Sequence, residues 1–132
     1  MKAGRLLLRE IHSSVLARES FVLESTLSGR TYVRLLTDAK SAGYEIELHY
    51  LWLGNSQVAV HRVKQRVLEC GHDVPIYSIL RRKSRSEVHL IENYAPLANR
   101  WVVYDNEVVP PRLIASSETN RVDELREIFA HE

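Results

Sequence analysis

Three groups of side chains have the types and spacings that chemistry requires. The first is Glu24-Ser25-Thr26-Leu27-Ser28, directly after the apolar run Phe21-Val22-Leu23. In open α/β sheets ligands bind beyond the carboxyl ends of the strands. A carboxylate there accepts hydrogen bonds from a sugar or nucleotide hydroxyl, orients a nucleophile, or helps to hold a metal. Glu24, Thr26 and Ser28 are therefore candidate substrate-binding residues, and they would equally serve as caps for a following helix. The same strand-end rule selects Asn55 and Ser56, and Asp105 and Asn106. The second group is basic. Arg62 and Arg66, four apart, share one face of a helix, and Arg81, Arg82, Lys83 and Arg85 follow on the next. Clustered guanidiniums hold phosphate in a fork and stabilise charge in phosphoryl transfer. The alternative is a solvated face paired with carboxylates such as Glu69 and Glu87. The third is His72-Asp73, an imidazole beside a carboxylate that can tune it as an acid or base, or a plain loop contact.

Other chemistries find no support. His12, His49, His61 and His89 have no metal-ligand spacing with Cys70 or with one another. The serines form no nucleophile elbow. Trp52 and Trp101 fall in strand patterns and are expected in the core. The basic run at 81–85 lacks interleaved aromatics, and the formal net charge is +1, so a nucleic-acid partner is not expected. No membrane partner is expected either. Leu6-Leu7-Leu8 is too short and too interrupted for a signal peptide, and residues 46–60 contain Glu47, His49 and Asn55 and fall short of a span. With one cysteine no internal disulfide can form, which fits a reducing cytoplasm.

The elements that must position these groups follow from periodicity. Helices are predicted over 5–17, 30–42, 57–70 and from Pro75 into the low 90s, with Gly43 ending the second and Pro96 closing the fourth. A last helix carries Val122, Leu125 and Phe129, capped by Thr119 or Asn120. Strands are predicted at Phe21-Val22-Leu23, 44–53, Trp101–Asp105 and Arg112–Ala115. Ile46, Leu48, Tyr50 and Trp52 share one side of the second of these, and Leu51 and Leu53 suggest burial on both faces near its end. The alternation predicts an α/β fold with a mainly parallel sheet. The 132 residues suffice for one domain.

Phe21-Val22-Leu23-Glu24-Ser25-Thr26-Leu27-Ser28-Gly29 is similar to the F-x-x-E-T-T-L-S-G segment of zeta-toxin-like P-loop kinases and predicted ATPases. Ala42-Gly43-Tyr44 leading into Tyr50-Leu51-Trp52-Leu53, then Gly71-His72-Asp73-Val74-Pro75 with Arg81-Arg82, then Trp101 through Tyr104-Asp105-Asn106 occur in the same order. The resemblance covers roughly residues 3–115. It implies a P-loop-kinase-like three-layer sandwich, ATP and Mg²⁺ as cofactors, and phosphorylation of a small molecule. Better-known zeta toxins act on UDP-activated amino sugars and are neutralised by a small antitoxin. The resemblance puts Glu24, with Thr26 and Ser28, at the substrate side. It gives Arg62, Arg66, Arg81 and Arg82 a phosphate-facing or nucleotide-facing role, and it places His72 and Asp73 in the lid loop.

One departure governs mechanism. The glycines stand at 4, 29, 43, 54 and 71, and no two are five apart, so no G-x-x-x-x-G-K-[ST] loop lies within these residues. That loop supplies the nest of N–H groups, the lysine and the Mg²⁺-binding hydroxyl. The expectation is a single incomplete domain over 1–132, with 117–132 as a C-terminal helical extension, lacking the first strand and the phosphate-binding loop. It would be inactive alone and would need a complementary P-loop-bearing segment in cis or from another chain. The competing expectation is a non-catalytic member that binds an antitoxin or itself. A third is a phosphotransferase whose nucleotide site is built from the arginines.

Overall fold

A computed structural model of the chain describes residues 17, 19–23, 25, 27, 29–54, 61, 64–65, 68–69 and 76–131. It is an α/β arrangement built on a three-stranded mixed sheet. Strand β1 (Glu47–Trp52) pairs in parallel with β2 (Arg100–Asp105), in register from Glu47 opposite Arg100 to Trp52 opposite Asp105. Strand β3 (Arg112–Ser116) pairs antiparallel with β2, with an irregularity between Val103 and Tyr104. The spatial order is β1-β2-β3. The parallel pairing is as expected for β1 and β2. The reversal at β3 has a simple cause: residues 106–111 are too few for a parallel crossover, which needs a dozen or more.

Helix α1 (Val33–Ser41) has Ala39 buried and Tyr32, Val33 and Leu36 against the core; periodicity predicts Tyr32, Leu35, Leu36 and Ala39 on this face, and Val33 stands there in place of Leu35. Its end is a Schellman motif. Gly43 N–H donates to the Lys40 carbonyl (3.1 Å) and Tyr44 N–H to the Ala39 carbonyl (3.0 Å). Gly43 sits at φ +99°, a conformation that a side chain would strain. The start of β1 is then fixed to the start of β2. Ile46 N–H donates to Asn99 Oδ1, and Asn99 N–H returns a bond to the Ile46 carbonyl (both 2.8 Å).

Helix α2 (Ile76–His89) runs on through a π-helical turn, Leu90–Tyr94, into a final α turn, Ala95–Leu97. Pro96 was expected to close this helix, and it does not. Proline has no N–H for the Glu92 carbonyl and its ring crowds that carbonyl; the wider turn just before it accommodates both. The same turn directs Leu90 and Tyr94 inward, where they are almost wholly buried. A 3₁₀ turn, Val122–Glu124, leads into α3 (Leu125–His131). Asn120 does not cap it. Its Oδ1 accepts from Ser116 N–H (3.3 Å) and its Nδ2 donates to Glu124 (3.0 Å), bridging β3 to the 3₁₀ turn.

The core lies on one face of the sheet. Period-two alternation turns Tyr50 and Trp52 of β1, Trp101 and Val103 of β2, and Ala115 of β3 inward, against Leu90, Tyr94, Leu125 and Phe129. Both tryptophans are core, as expected. Leu125 and Phe129 of the last helix are part of this core. On the opposite face Leu51 is 54% exposed and Leu113 58%, so the expected burial of both faces at the end of β1 is not found. Phe21-Val22-Leu23 is also not a strand. Instead the Phe21 ring packs on Tyr44 (centroids 5.8 Å apart), whose hydroxyl donates to the Glu19 carbonyl (2.6 Å). A three-residue apolar run signals burial without specifying a ladder.

Candidate functional site

The carboxyl ends of the parallel pair β1 and β2 are the ligand end of such a sheet. Here the described residues place Trp52, Gly54, Asp105, Asn106 and Glu107, with Arg112 entering on β3. Asn106 N–H continues the ladder to the Trp52 carbonyl (2.9 Å). Gly54 has φ +78°, a conformation that a side chain would strain, and an added Cβ would lie 1.9 Å from Glu107 Oε1, so the Glu107 side chain would also have to move. Asp105 is 5% exposed. Its Oδ1 accepts from Glu107 N–H (2.9 Å) and its Oδ2 from Arg112 Nη2 (3.3 Å). A nearly buried carboxylate needs such partners, because desolvation without them is costly.

Helix α2 meets the inward side chains of β1 through Lys83, Ser86 and Glu87. Ser86 shares a 2.9 Å hydrogen bond with the Tyr50 hydroxyl, while Lys83 and Glu87 engage Trp52, nearer the strand's end. The indole N–H donates to Glu87 Oε1 (3.0 Å), Lys83 donates to the same oxygen, and its Nζ lies 5.5 Å from the Trp52 ring centroid. Arg81 and Arg82 directly precede Lys83 on this helix, and both are exposed. Neither forms an ion pair among the described residues; within the basic run it is Lys83 that takes the pairing with Glu87 considered from sequence.

Of the other candidate residues, Glu24, Thr26, Ser28, Arg62, Arg66, His72 and Asp73 lie outside the described residues, as do Asn55 and Ser56. In the first cluster, Leu27 is buried with φ +54°, a conformation uncommon for such a residue. Its N–H donates to Ser25 Oγ (3.1 Å), so Ser25 closes its own turn instead of capping α1. Tyr94 of the π turn donates to the Gly29 carbonyl (2.7 Å) and ties this segment to the core.

Two pairings were left open by the sequence, and both had left a signal. Lys83 and Glu87 are an i,i+4 pair on a turn that faces inward. Asp105 falls on the inward parity of Trp101 and Val103, where a carboxylate must find a cation. Among the described residues no group of three or more His, Cys, Asp or Glu side chains is placed to hold a metal, and no helix is long and apolar enough to cross a membrane. A cleft of about 380 Å³ between α2 and α3 holds the Arg126–Glu92 ion pair and apolar walls, and none of the predicted site residues.

The Tyr50–Ser86 contact has a pH signature. Burial pushes the Tyr50 hydroxyl up to about 12; the Ser86 bond lowers it and the Glu87 charge raises it. The native state therefore keeps a proton that the unfolded chain loses near pH 10, so stability is intact below pH 10 and falls as pH rises toward 12. The slope from this residue approaches about 1.4 kcal/mol per pH unit. Tyr94 shifts in the same direction through burial. Tyr50→Phe should cost about 1 kcal/mol at neutral pH and flatten part of the alkaline limb. Urea unfolding at pH 8, 10 and 11.5 measures both, and an unchanged alkaline limb would count against the assignment.

The zeta toxin family profile matches residues 2–109. A protein of Haemophilus influenzae, named only as an uncharacterized protein, is 31% identical over 70 residues, which is 53% of this chain and 50% of that protein. The chain thus spans about half the length of this curated relative. No solved structure matches it. Strands β1 and β2, helix α2 and the strand-end residues Gly54, Asp105 and Glu107 all fall within the matched stretch, and the chain belongs to the zeta toxin family.

Proposed function

We propose that these residues form the substrate and lid side of an ATP-dependent small-molecule kinase with a P-loop-kinase-like three-layer fold, inactive until a phosphate-binding loop is supplied. What supports this reading is the pair of exposed arginines Arg81 and Arg82 on α2, just before Lys83, whose ammonium lies by the Trp52 ring at the end of β1, in a zeta toxin family chain. Phosphoryl transfer depends on positioning and on electrostatic stabilisation of spread negative charge. In this reading the two arginines, with Arg62 and Arg66, supply lid charge. Glu24, Thr26 and Ser28 receive the acceptor, and His72 and Asp73 shape the lid loop. ATP and Mg²⁺ depend on a P-loop-bearing segment, in cis or on another chain, because no such loop occurs among these 132 residues.

The test compares two ligands on the 132-residue chain by isothermal titration at low salt. Inorganic tripolyphosphate is expected to bind weakly through the arginines, and Mg-ATP no more tightly, since no N–H nest or lysine completes its site. The chain alone should transfer no phosphate. Much tighter Mg-ATP binding, or turnover by the pure chain, would mean a complete nucleotide site and sink the reading, as would a lack of tripolyphosphate affinity. A second reading, a non-catalytic member that associates with itself or with an antitoxin, is favoured by the exposed Leu51 and Leu113 on the outer sheet face. A concentration-dependent dimer with no polyphosphate affinity would select it.

A further inference from the structure

We propose that the exposed stripe of α2 and the cleft between α2 and α3 together dock a helical segment of a partner protein, acidic at one end and apolar at the other. The inference stands on Arg85, Val88 and the cleft, and not on the phosphate role proposed for Arg81 and Arg82.

Helical spacing puts Arg81, Arg85 and Val88 at i, i+4 and i+7, so they form one stripe along α2. All three are exposed, Val88 by 48%. The residues three and four away from Arg85 are Arg81, Arg82, Val88 and His89, and none is acidic. The nearby carboxylates on the same run are engaged elsewhere, Glu87 with Lys83 and Trp52 and Glu92 with Arg126. Neither Arg81 nor Arg85 has an ion-pair partner among the described residues. Like charges four apart disfavour a helix, and carboxylates brought by a partner relieve that repulsion.

At its other end the stripe runs into the cleft of about 380 Å³. Among the described residues, Val88 and Ile91 line it from α2 and the π turn, and Phe129 and Ala130 from α3. A lone exposed valine needs no explanation. This one borders further apolar side chains, and the volume suits an anchoring apolar group. From Arg81 to Val88 the stripe covers about 10 Å of helix before the cleft begins, a span that suits a protein segment better than a small ligand. Nucleic acid would use the arginines and leave the apolar cleft unfilled.

Peptide phage display against the 132-residue chain tests this. Enriched peptides are expected to combine Asp or Glu with Leu, Ile or Phe at helical spacing. The strongest is then labelled and titrated by fluorescence anisotropy. Arg85→Glu and Val88→Gln should each weaken it about tenfold. High salt should weaken it only in part, because the apolar contact is not screened. Both positions are exposed, and thermal melts confirm that the variants fold. Replacing the peptide's carboxylates with amides should cause a similar loss and leaves the protein untouched. The proposal fails if no peptide is enriched, if the enriched peptides lack carboxylates, or if they are indifferent to Arg85→Glu and Val88→Gln and so seat elsewhere. It also fails if polyglutamate or a single-stranded oligonucleotide binds as tightly, since charge alone would then suffice. No phosphate binding is read, so this proposal and the kinase reading stand or fall separately.

Discussion

Trp52→Ala is expected to lower unfolding stability by about 3–5 kcal/mol, the range for deleting a large aromatic from a packed core. Trp52 is 1% exposed. Its ring stacks on Phe129 at 5.1 Å and carries the Lys83 ammonium over it, and its N–H is bonded to Glu87. The substitution removes a contact shared by β1, α2 and α3 at once, and those elements cannot all close on the gap. Domains of this size commonly hold about 5–15 kcal/mol in total, so the variant should melt well below the unaltered chain, or not cooperatively at all. Trp52→Phe keeps much of the volume and should lose less, mainly the indole bond and the ring area under Lys83. Denaturant unfolding followed by far-UV circular dichroism measures both. If Trp52→Ala costs under about 1 kcal/mol, α3 does not pack where the structure puts it.

The second large effect is at Glu87. Its Oε1 accepts from both Lys83 and the Trp52 indole, and the two charged side chains are only 12% and 18% exposed. Glu87→Leu removes an acceptor from the Lys83 ammonium and from the Trp52 indole N–H, and is expected to cost about 2–4 kcal/mol, somewhat under the range for a fully buried pair. The informative partner is Lys83→Met. The double variant should be more stable than Glu87→Leu alone, because it also removes the partly buried charge that Glu87 balances. A cycle of the two singles and the double, by urea unfolding, gives the coupling directly. Additive costs would show that the pair does not interact and that the attraction of Lys83 to Trp52 is independent of Glu87. Stability is the readout in both experiments, so they do not depend on the proposed activity.

Much of this architecture is legible in the chain itself. Tyr32, Leu36 and Ala39 on one face, followed by Gly43, define α1 and its end, because both the face and the left-handed cap are local requirements. Tyr50 and Trp52, and Trp101 and Val103, define the inward faces of two strands through a period that needs no partner to be read. The basic run at 81–85 and the strand-end residues Asp105 and Asn106 are equally local, and so is the segment around Leu27 that carries the family resemblance.

Other features belong to the tertiary structure, since each depends on what lies opposite in space. Three apolar residues at 21–23 could not reveal whether a strand edge was available to them, and Phe21 packs on a tyrosine instead. Pro96 reads as a stop in any local scheme, but a π turn and burial of Leu90 and Tyr94 carry the helix past it. The direction of β3 follows from the short connection after β2 combined with the edge that β2 leaves open. Which cation would neutralise which carboxylate was beyond the pattern of charges. Lys83 takes Glu87 because their shared turn faces Trp52, and Arg112 takes Asp105 because an antiparallel register brings them side by side. Periodicity therefore determined the faces of α1, β1 and β2 and the place of the basic run. Strand direction and charge pairing were decided by three-dimensional packing, because hydrogen-bond ladders and ion pairs depend on distances between residues far apart in the chain.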